Sequence, residues 1–384
     1  MRILILSSST GGGHDMRARA LESWCQKMST PSAPLETFRF QALEESAGIY
    51  KFGVELYNWI QKKCPWLHHL YFNWLEIFQI SASERLLLGK AKYIAQLEAI
   101  RPDVIVSVHA HTNHAFRAIA KKRRPGVQFA TYCGEMHSGY GFSRHWVDPG
   151  ADVFIGATQA ICDAALKLGM PQERTIYGGF LLDPSFYGET TSAAGPETLR
   201  QDLVLLPNTF TLLLSTGANG AENHLHFLAT LSAAKLDLQV IALCGRNDTA
   251  LESIAQWGES SPRIKVCPLS YREDIFSLMQ LSDVVVARPG TGTTSEAIMA
   301  DCPILFNGLG GIMPQEWITV KYLRSQGFSA ACIKKPSDLV HQLRPLLRSQ
   351  AELKDQKSGL QKLCPKPQPC DIIRLLQNLS VSRS

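Results

Sequence analysis

Short apolar runs of strand length alternate with segments of helical periodicity along most of this chain. Ile3–Leu6, Pro102–Val108, Gly126–Tyr132, Asp152–Ile155 and Arg174–Tyr177 read as strands, the first of them of buried type. Helical spacing separates them at Met16–Met28, Glu84–Ala99 and Thr158–Leu168. The pattern then starts again: strands over Phe210–Leu214, Leu238–Asn247, Arg263–Val266, Val284–Val286 and Pro303–Phe306, with helices ending near Ala233 and Trp257, over Arg272–Leu281, and from Gln315. Near-continuous Val, Ile and Leu in each strand fits parallel sheets covered on both faces. Residues 188–196, rich in Gly, Ser, Thr and Ala, read as a linker. The expected organisation is α/β, with a doubly wound domain over 1–182, a second over 183–347, and a helical segment over 348–384 that crosses back towards the first.

Each half places a glycine-rich turn between a strand and a helix. In the first half, Ser7-Ser-Ser-Thr-Gly-Gly-Gly-His14 lacks both the GxGxxG spacing of dinucleotide oxidoreductases and the lysine of a P-loop. His14 at the helix entry is placed to act as a base over small residues. In the second half, Ser215–Gly220 forms one such turn and Arg288-Pro-Gly-Thr-Gly-Thr-Thr-Ser-Glu296 forms another. Gly290 and Gly292 allow a close backbone approach, and a helix read from Thr293 to Ala300 would present amides and a positive dipole end to an anion. Ser and Thr side chains are expected to cap that helix, and Glu296, read in its first turn, to meet ligand hydroxyls. Phosphate together with sugar hydroxyls points to a nucleotide.

Residues 47–80 carry Trp59, Trp66, Tyr71 and Trp74 with interleaved lysines. Two readings stand for this stretch, a membrane interface and a pair of core helices. His109-Ala-His111 after a strand is how some zinc sites begin, but His137 and Asp148 complete no recognised ligand spacing, and no metal is expected. The chain's 384 residues are 45% hydrophobic and 19% charged, which fits two globular cores. The net charge of +5 is too small to argue for nucleic acid. Ten cysteines without a CxxC pair read as reduced thiols of a cytoplasmic protein. The chain opens directly on a strand, so no signal peptide is expected. No apolar run reaches the roughly 20 residues of a membrane span, leaving only peripheral contact with a membrane.

Taken together, Ser9-Thr-Gly-Gly-Gly-His14, Pro102-Asp-Val-Ile105, Cys244-Gly-Arg-Asn247, Arg288-Pro-Gly-Thr291, Ser295-Glu-Ala297 and Pro314-Gln-Glu316 resemble, in order and over most of the chain, the GT-B glycosyltransferases. The subgroup is that of monogalactosyldiacylglycerol synthase, processive diacylglycerol glucosyltransferase and the lipid-linked N-acetylglucosaminyltransferase of peptidoglycan synthesis. The resemblance implies two Rossmann-like domains facing across a cleft. It also implies inverting transfer of a hexose from a UDP-sugar to a membrane lipid, at the inner face of the membrane, without a cofactor or obligatory metal. By the same resemblance Glu296 binds ribose, and Thr291, Gly292 and Thr293 cradle phosphate. Gly12, Gly13, Gly217, Gly220, Arg246 and Gly290 belong to the donor site, Arg272 lies where uracil is read, and Gln315 and Glu316 face the hexose. His14 is then the base or the group polarising the acceptor hydroxyl. Where relatives carry a catalytic Asp this chain has Tyr132, so Glu135 is the nearest substitute, with His137 beside it. Trp317 replaces a basic residue. A GT-B epimerase acting on UDP-N-acetylglucosamine, a polyprenyl-directed transferase and a non-catalytic nucleotide-sugar binder are the alternatives.

Overall fold

The computed structural model describes residues 1–10, 12–63, 67–78, 84–85, 87–189, 196–215, 223–261, 263–328 and 331–381. The chain divides into two compact units. The first comprises Met1–Pro184, Met313–Thr319 and Pro365–Ser384; the second comprises Ser185–Ile312 and Val320–Cys364.

The first unit holds a six-stranded parallel sheet of β1 (Arg2–Ser7), β2 (Glu36–Gln41), β3 (Val104–Ser107), β4 (Gln128–Cys133), β5 (Val153–Gly156) and β6 (Thr175–Tyr177), in the order β2-β1-β3-β4-β5-β6. The second holds β7 (Thr211–Ser215), β8 (Gln239–Gly245), β9 (Lys265–Ser270), β10 (Val284–Ala287), β11 (Ile304–Asn307) and β12 (Cys332–Ile333), in the order β12-β11-β10-β7-β8-β9. The pairings are parallel, as the continuous apolar runs require.

Helices of the first unit are α1 (Gly13–Met28), α2 (Gly48–Lys63), α3 (His68–Phe78), α4 (Lys90–Ile100), α5 (His114–Arg123) and α6 (Gln159–Lys167). Those that follow are α7 (Pro196–Asp202), α8 (His224–Ala233), α9 (Asp248–Ser260), α10 (Ile275–Gln280), α11 (Thr291–Met299), α12 (Pro314–Ser325), α13 (Pro336–Arg348), α14 (Gln350–Gln361) and α15 (Pro369–Val381).

Each sheet has its own core. Leu4, Leu6, Tyr93, Ile105, Phe116, Phe129 and Phe154 fill one; Leu212, Leu214, Val240, Ile254, Val284 and Val286 fill the other. Burying each such side chain contributes about 1.5–3 kcal/mol, enough to fix both sheets without disulfides. The described cysteines are all free.

Several expectations need correction. Strand β2 is absent from the sequence reading: Phe38 and Phe40 alternate with polar neighbours in an edge strand, so no apolar run announces it. Helix α11 begins at Thr291, two residues before the expected start. A glycine at 292 costs little there, because the first turn's amides have no intrahelical partners in any case. Glu296 is therefore past the first turn. The segment expected as one helical tail divides: α14 stays with the second unit, whereas α15 buries Ile372, Ile373 and Leu376 and packs against α1, β3 and β4. No helix among the described residues is long and apolar enough to cross a membrane.

Candidate active site and anion-binding segment

In the first unit the chemistry gathers at the carboxyl ends of β1, β3 and β4. Helix α1 is entered through Gly12, whose φ of 80° is a left-handed value that favours glycine. This puts His14 in the first turn, where its Nδ1–H donates to the carbonyl of Val108 at 2.8 Å. A carbonyl only accepts, so the proton lies on Nδ1 and Nε2 is a bare acceptor. The His109 ring packs edge-on against His14 at 4.4 Å between centroids, and the buried Trp146 lies 5.8 Å away. His109 is fixed in turn: Nδ1 accepts from the His111 amide at 3.2 Å, and Nε2–H donates to Thr10 Oγ1 at 3.1 Å.

Glu44, just beyond β2, holds the turn in place. Its Oε1 accepts from Ser8 Oγ at 2.9 Å, Ser9 N at 2.7 Å and Ser9 Oγ at 2.8 Å. Ser9, Gln41, Glu44, Glu45, Lys51, Val54, Glu55 and Asn58 line a cavity of about 370 Å³ beside this turn.

Burial, reinforced by the Arg17 charge, lowers His14 to about 3, so it is neutral at physiological pH. Burial likewise holds His109 and His111 well below the ordinary histidine value, and lowers His114 despite Asp148 at 3.8 Å. Glu135, in the loop after β4, moves the other way: burial raises it to about 7, opposed by the charge of Arg17. His137 Nδ1–H donates to Ser138 O at 2.8 Å. Among the described residues no group of three His, Cys, Asp or Glu side chains is arranged to hold a metal ion.

Tyr132, which stands where an acid was sought, has a structural role. Its hydroxyl donates to Gly179 O at 2.9 Å and accepts from Leu181 N at 2.8 Å, deep in the core. Sequence reading missed Arg17. It is only 4% exposed and donates from Nη2 to Gly134 O at 2.8 Å. A charged residue one helical turn after His14 was the available signal.

In the second unit, α11 is entered through Gly290, an N-cap residue with no side chain to offer. The Ser and Thr side chains expected to cap it are used differently: Ser295 Oγ donates back to Gly292 O at 2.7 Å, and Thr294 Oγ1 is buried without a partner. Thr291, Gly292, Thr293 and Glu296 are partly exposed. Arg288 donates to Leu309 O at 3.0 Å and Gly311 O at 2.8 Å, bracing the loop after β11. Arg272 is engaged by Asp274, its Nε donating at 2.7 Å. Arg246 is exposed and stacks over Tyr271 at 4.5 Å. Gly217 and Gly220 lie outside the described residues.

Gln315 and Glu316 belong to the segment assigned to the first unit. Gln315 Nε2 donates to Tyr57 OH, and Glu316 Oε2 accepts from Met313 N at 2.8 Å, a cap at the start of α12. On α2 and α3, Trp59 and Trp74 are 53% and 47% exposed, with Phe52 and Leu70 exposed as well, while Val54 and Ile60 are buried. The stretch therefore serves in part as core and in part as an apolar surface. Trp66 and the side chain of Tyr71 lie outside the described residues.

Residues 212–306 match the glycosyltransferase family 28 C-terminal domain. The chain is 23% identical over 389 residues to a processive diacylglycerol beta-glucosyltransferase of Bacillus cereus, covering 97% of this chain and 92% of the relative. Among solved structures it is similar to Acinetobacter baumannii MurG, at 13% identity and a TM-score of 0.56, over 98% of this chain and 99% of that one. It is also similar to the Neisseria meningitidis UDP-GlcNAc 2-epimerase bound to UDP-GlcNAc, at 12% identity and a TM-score of 0.62, over 98% and 100% of the two chains. The GT-B fold and the resemblance drawn from the motifs both hold.

Proposed function

We propose that this GT-B chain, whose second unit carries the family 28 glycosyltransferase match, moves a hexose from a UDP-sugar to the hydroxyl of a membrane lipid, with inversion. Diacylglycerol-type acceptors are favoured. The observation that supports this most is the likeness to a diacylglycerol glucosyltransferase along nearly the whole of both chains.

In this reading the glycine amides and dipole at the start of α11 take the diphosphate, and Glu296 accepts from the ribose hydroxyls. Negative charge building on the leaving diphosphate is met there by fixed amide dipoles, so no metal is required. In the first unit a neutral His14, its Nε2 bare, accepts a hydrogen bond from the acceptor hydroxyl. With His14 near 3 and Glu135 near 7, Glu135 is the better matched proton acceptor at neutral pH. His14 then orients and polarises. The cavity beside Ser9, with Glu44, Glu45 and Glu55 against the single cation Lys51, suits a neutral, hydroxylated headgroup better than a diphosphate-linked acceptor. Trp59, Trp74, Phe52 and Leu70 would seat the chain on the bilayer surface as a peripheral protein.

The test is a screen of UDP-sugars against diacylglycerol, glycolipid and polyprenyl acceptors in vesicles, with and without a chelator. Transfer to a diacylglycerol-type lipid that survives chelation is the expected result. Turnover of UDP-N-acetylglucosamine without any lipid would instead support the epimerase reading. Binding of UDP without turnover of any sugar would sink both.

A further inference from the structure

We propose that Arg17 is a positioning residue that pins the loop carrying Glu135 to the helical turn carrying His14. The inference rests on the transferase reading, in which those two groups handle the acceptor hydroxyl and its proton.

The geometry is that of a clamp. Arg17 lies one turn after His14 on α1 and is almost wholly buried. Its Nη2 donates to the carbonyl of Gly134, the residue next to Glu135, at 2.8 Å. A Cβ built on Gly134 would lie 1.9 Å from Nε and 2.3 Å from Cζ, so the guanidinium fills the space that any side chain at 134 would take. On the other side, a Cβ on Gly13 would lie 3.6 Å from Nη1. One planar cation thus fills the space beside Gly134 in the Glu135 loop and lies within contact range of Gly13, the first residue of α1, next to His14. Lysine cannot reproduce this, because it lacks the planar fork.

The charge acts in the same place. Arg17 pushes His14 down, as does His111, and it opposes the rise that burial imposes on Glu135. Around it stand His14 from α1 and Tyr132, Cys133 and Glu135 from β4 and its loop; His14 in turn faces His109 and His111 from the segment after β3. Without the cation, Glu135 would hold its proton to higher pH and His14 would take one up more readily.

The experiment uses the full chain with Arg17→Met, Arg17→Lys, Gly134→Ala and the double variant Arg17→Met/Gly134→Ala. It records kcat/KM against pH, UDP affinity by calorimetry, thermal midpoint, and the NMR titration of the His14 ring. For Arg17→Met, a fall of tenfold or more at pH 7 is expected. The acid limb should move up by about one pH unit or more, and the His14 midpoint should rise, with UDP affinity unchanged. Arg17→Lys should keep the limb in place and lose kcat. Gly134→Ala should reproduce the loss, and the double variant should be no worse than the poorer single, because both remove the same clamp.

An unmoved acid limb and His14 midpoint in Arg17→Met, or additive losses in the double variant, overturn the proposal. If Arg17→Met does not fold, Arg17→Lys and Gly134→Ala decide: kcat near wild type in either folded variant overturns the proposal. A wild-type chain that transfers no sugar would defeat the transferase reading alone, since the His14 titration still reports on Arg17.

Discussion

The two units solve the same structural problem, a helix entered through glycine at the carboxyl end of a parallel strand, with opposite means. The turn before α1 is held by side chains: Glu44 accepts three hydrogen bonds from it, Thr10 meets His109, and His14 is oriented by a carbonyl. Both N-caps, Gly12 and Gly290, are glycines without a side-chain cap; the difference is that Arg288, before α11, reaches outward to Leu309 O and Gly311 O in the loop after β11. The first arrangement suits proton handling, which needs lone pairs fixed in direction and groups of tuned basicity. The second, in the proposed reading, offers the amides and dipole of its first turn to an anion. Under the proposed function the same βα unit would serve acid–base chemistry in the first unit and charge neutralisation in the second.

The sharpest way to break this comparison is to remove one function and ask whether the other survives. His14→Ala, which leaves the acceptor hydroxyl unoriented, should lower kcat by roughly 10²-fold in an initial-rate assay, while calorimetry shows unchanged UDP binding. A variant retaining near wild-type turnover would show that the first turn does not take part in the reaction.

Acid should separate the units next. An unfolded histidine takes up a proton near pH 6.5, whereas folded His14 resists until about 3. The unfolded state therefore binds more protons across that window, and stability falls as pH drops through it. At pH 5 the loss from His14 is on the order of 2 kcal/mol. His109, His111 and His114 act in the same direction in the first unit, and His224, lowered to about 4, in the second. Glu135, raised to about 7, works the other way: between pH 7 and its ordinary value it holds a proton that the unfolded chain releases. Asp15, also raised by burial, adds to Glu135, but the two carboxyls do not offset the four histidines. Hydrogen exchange at pH 5 should thus lose protection in β1, β3 and β4 before β7, β8 and β10; equal loss in both sheets would remove the asymmetry.

A smaller effect is expected at α11. Glu296→Gln should weaken UDP binding by roughly tenfold to a hundredfold, the range for hydrogen bonds to a charged acceptor, with little change in kcat at saturating donor. Loss of kcat without loss of affinity would move Glu296 from ribose recognition to the chemistry.

How much of this was legible in the chain itself follows from where the information lies. Ten of the twelve described strands were read from the sequence; eight of them are apolar runs buried along their length, whereas β6 and β9, at the sheet edges, are only partly buried. The edge strand β2 and the two-residue β12 carry no such run. His14, Gly290 and Glu296 were visible because the chemistry is local: a glycine turn and the helix that follows it are contiguous in sequence. Arg17 was not, since its partner Gly134 is 117 residues away and neither residue belongs to a motif. The same holds for Glu44, whose three hydrogen bonds reach back across some 35 positions. Pairings made by the packing of β4 and β2 beside β3 and β1 become visible only once the sheet order is known.

Tyr132 offers the finest test of the boundary between chemistry and scaffold, because it occupies the position where the resembled family places an acid. Its hydroxyl bridges Gly179 O and Leu181 N inside the core. Tyr132→Phe strips both backbone groups of their partner and should cost about 1–3 kcal/mol of stability, with transfer rates at 25 °C within about twofold of wild type. Tyr132→Asp, which restores the family's acid, should unfold the chain instead of activating it, because the carboxylate would be buried at a site only 1% exposed. Chemical denaturation followed beside initial rates distinguishes the cases. A Phe variant that is fully stable but catalytically impaired would mean that this hydroxyl touches the acceptor. The proton-handling site would then extend from the α1 turn into the centre of β4, and Glu135 would lose its claim to replace the missing acid.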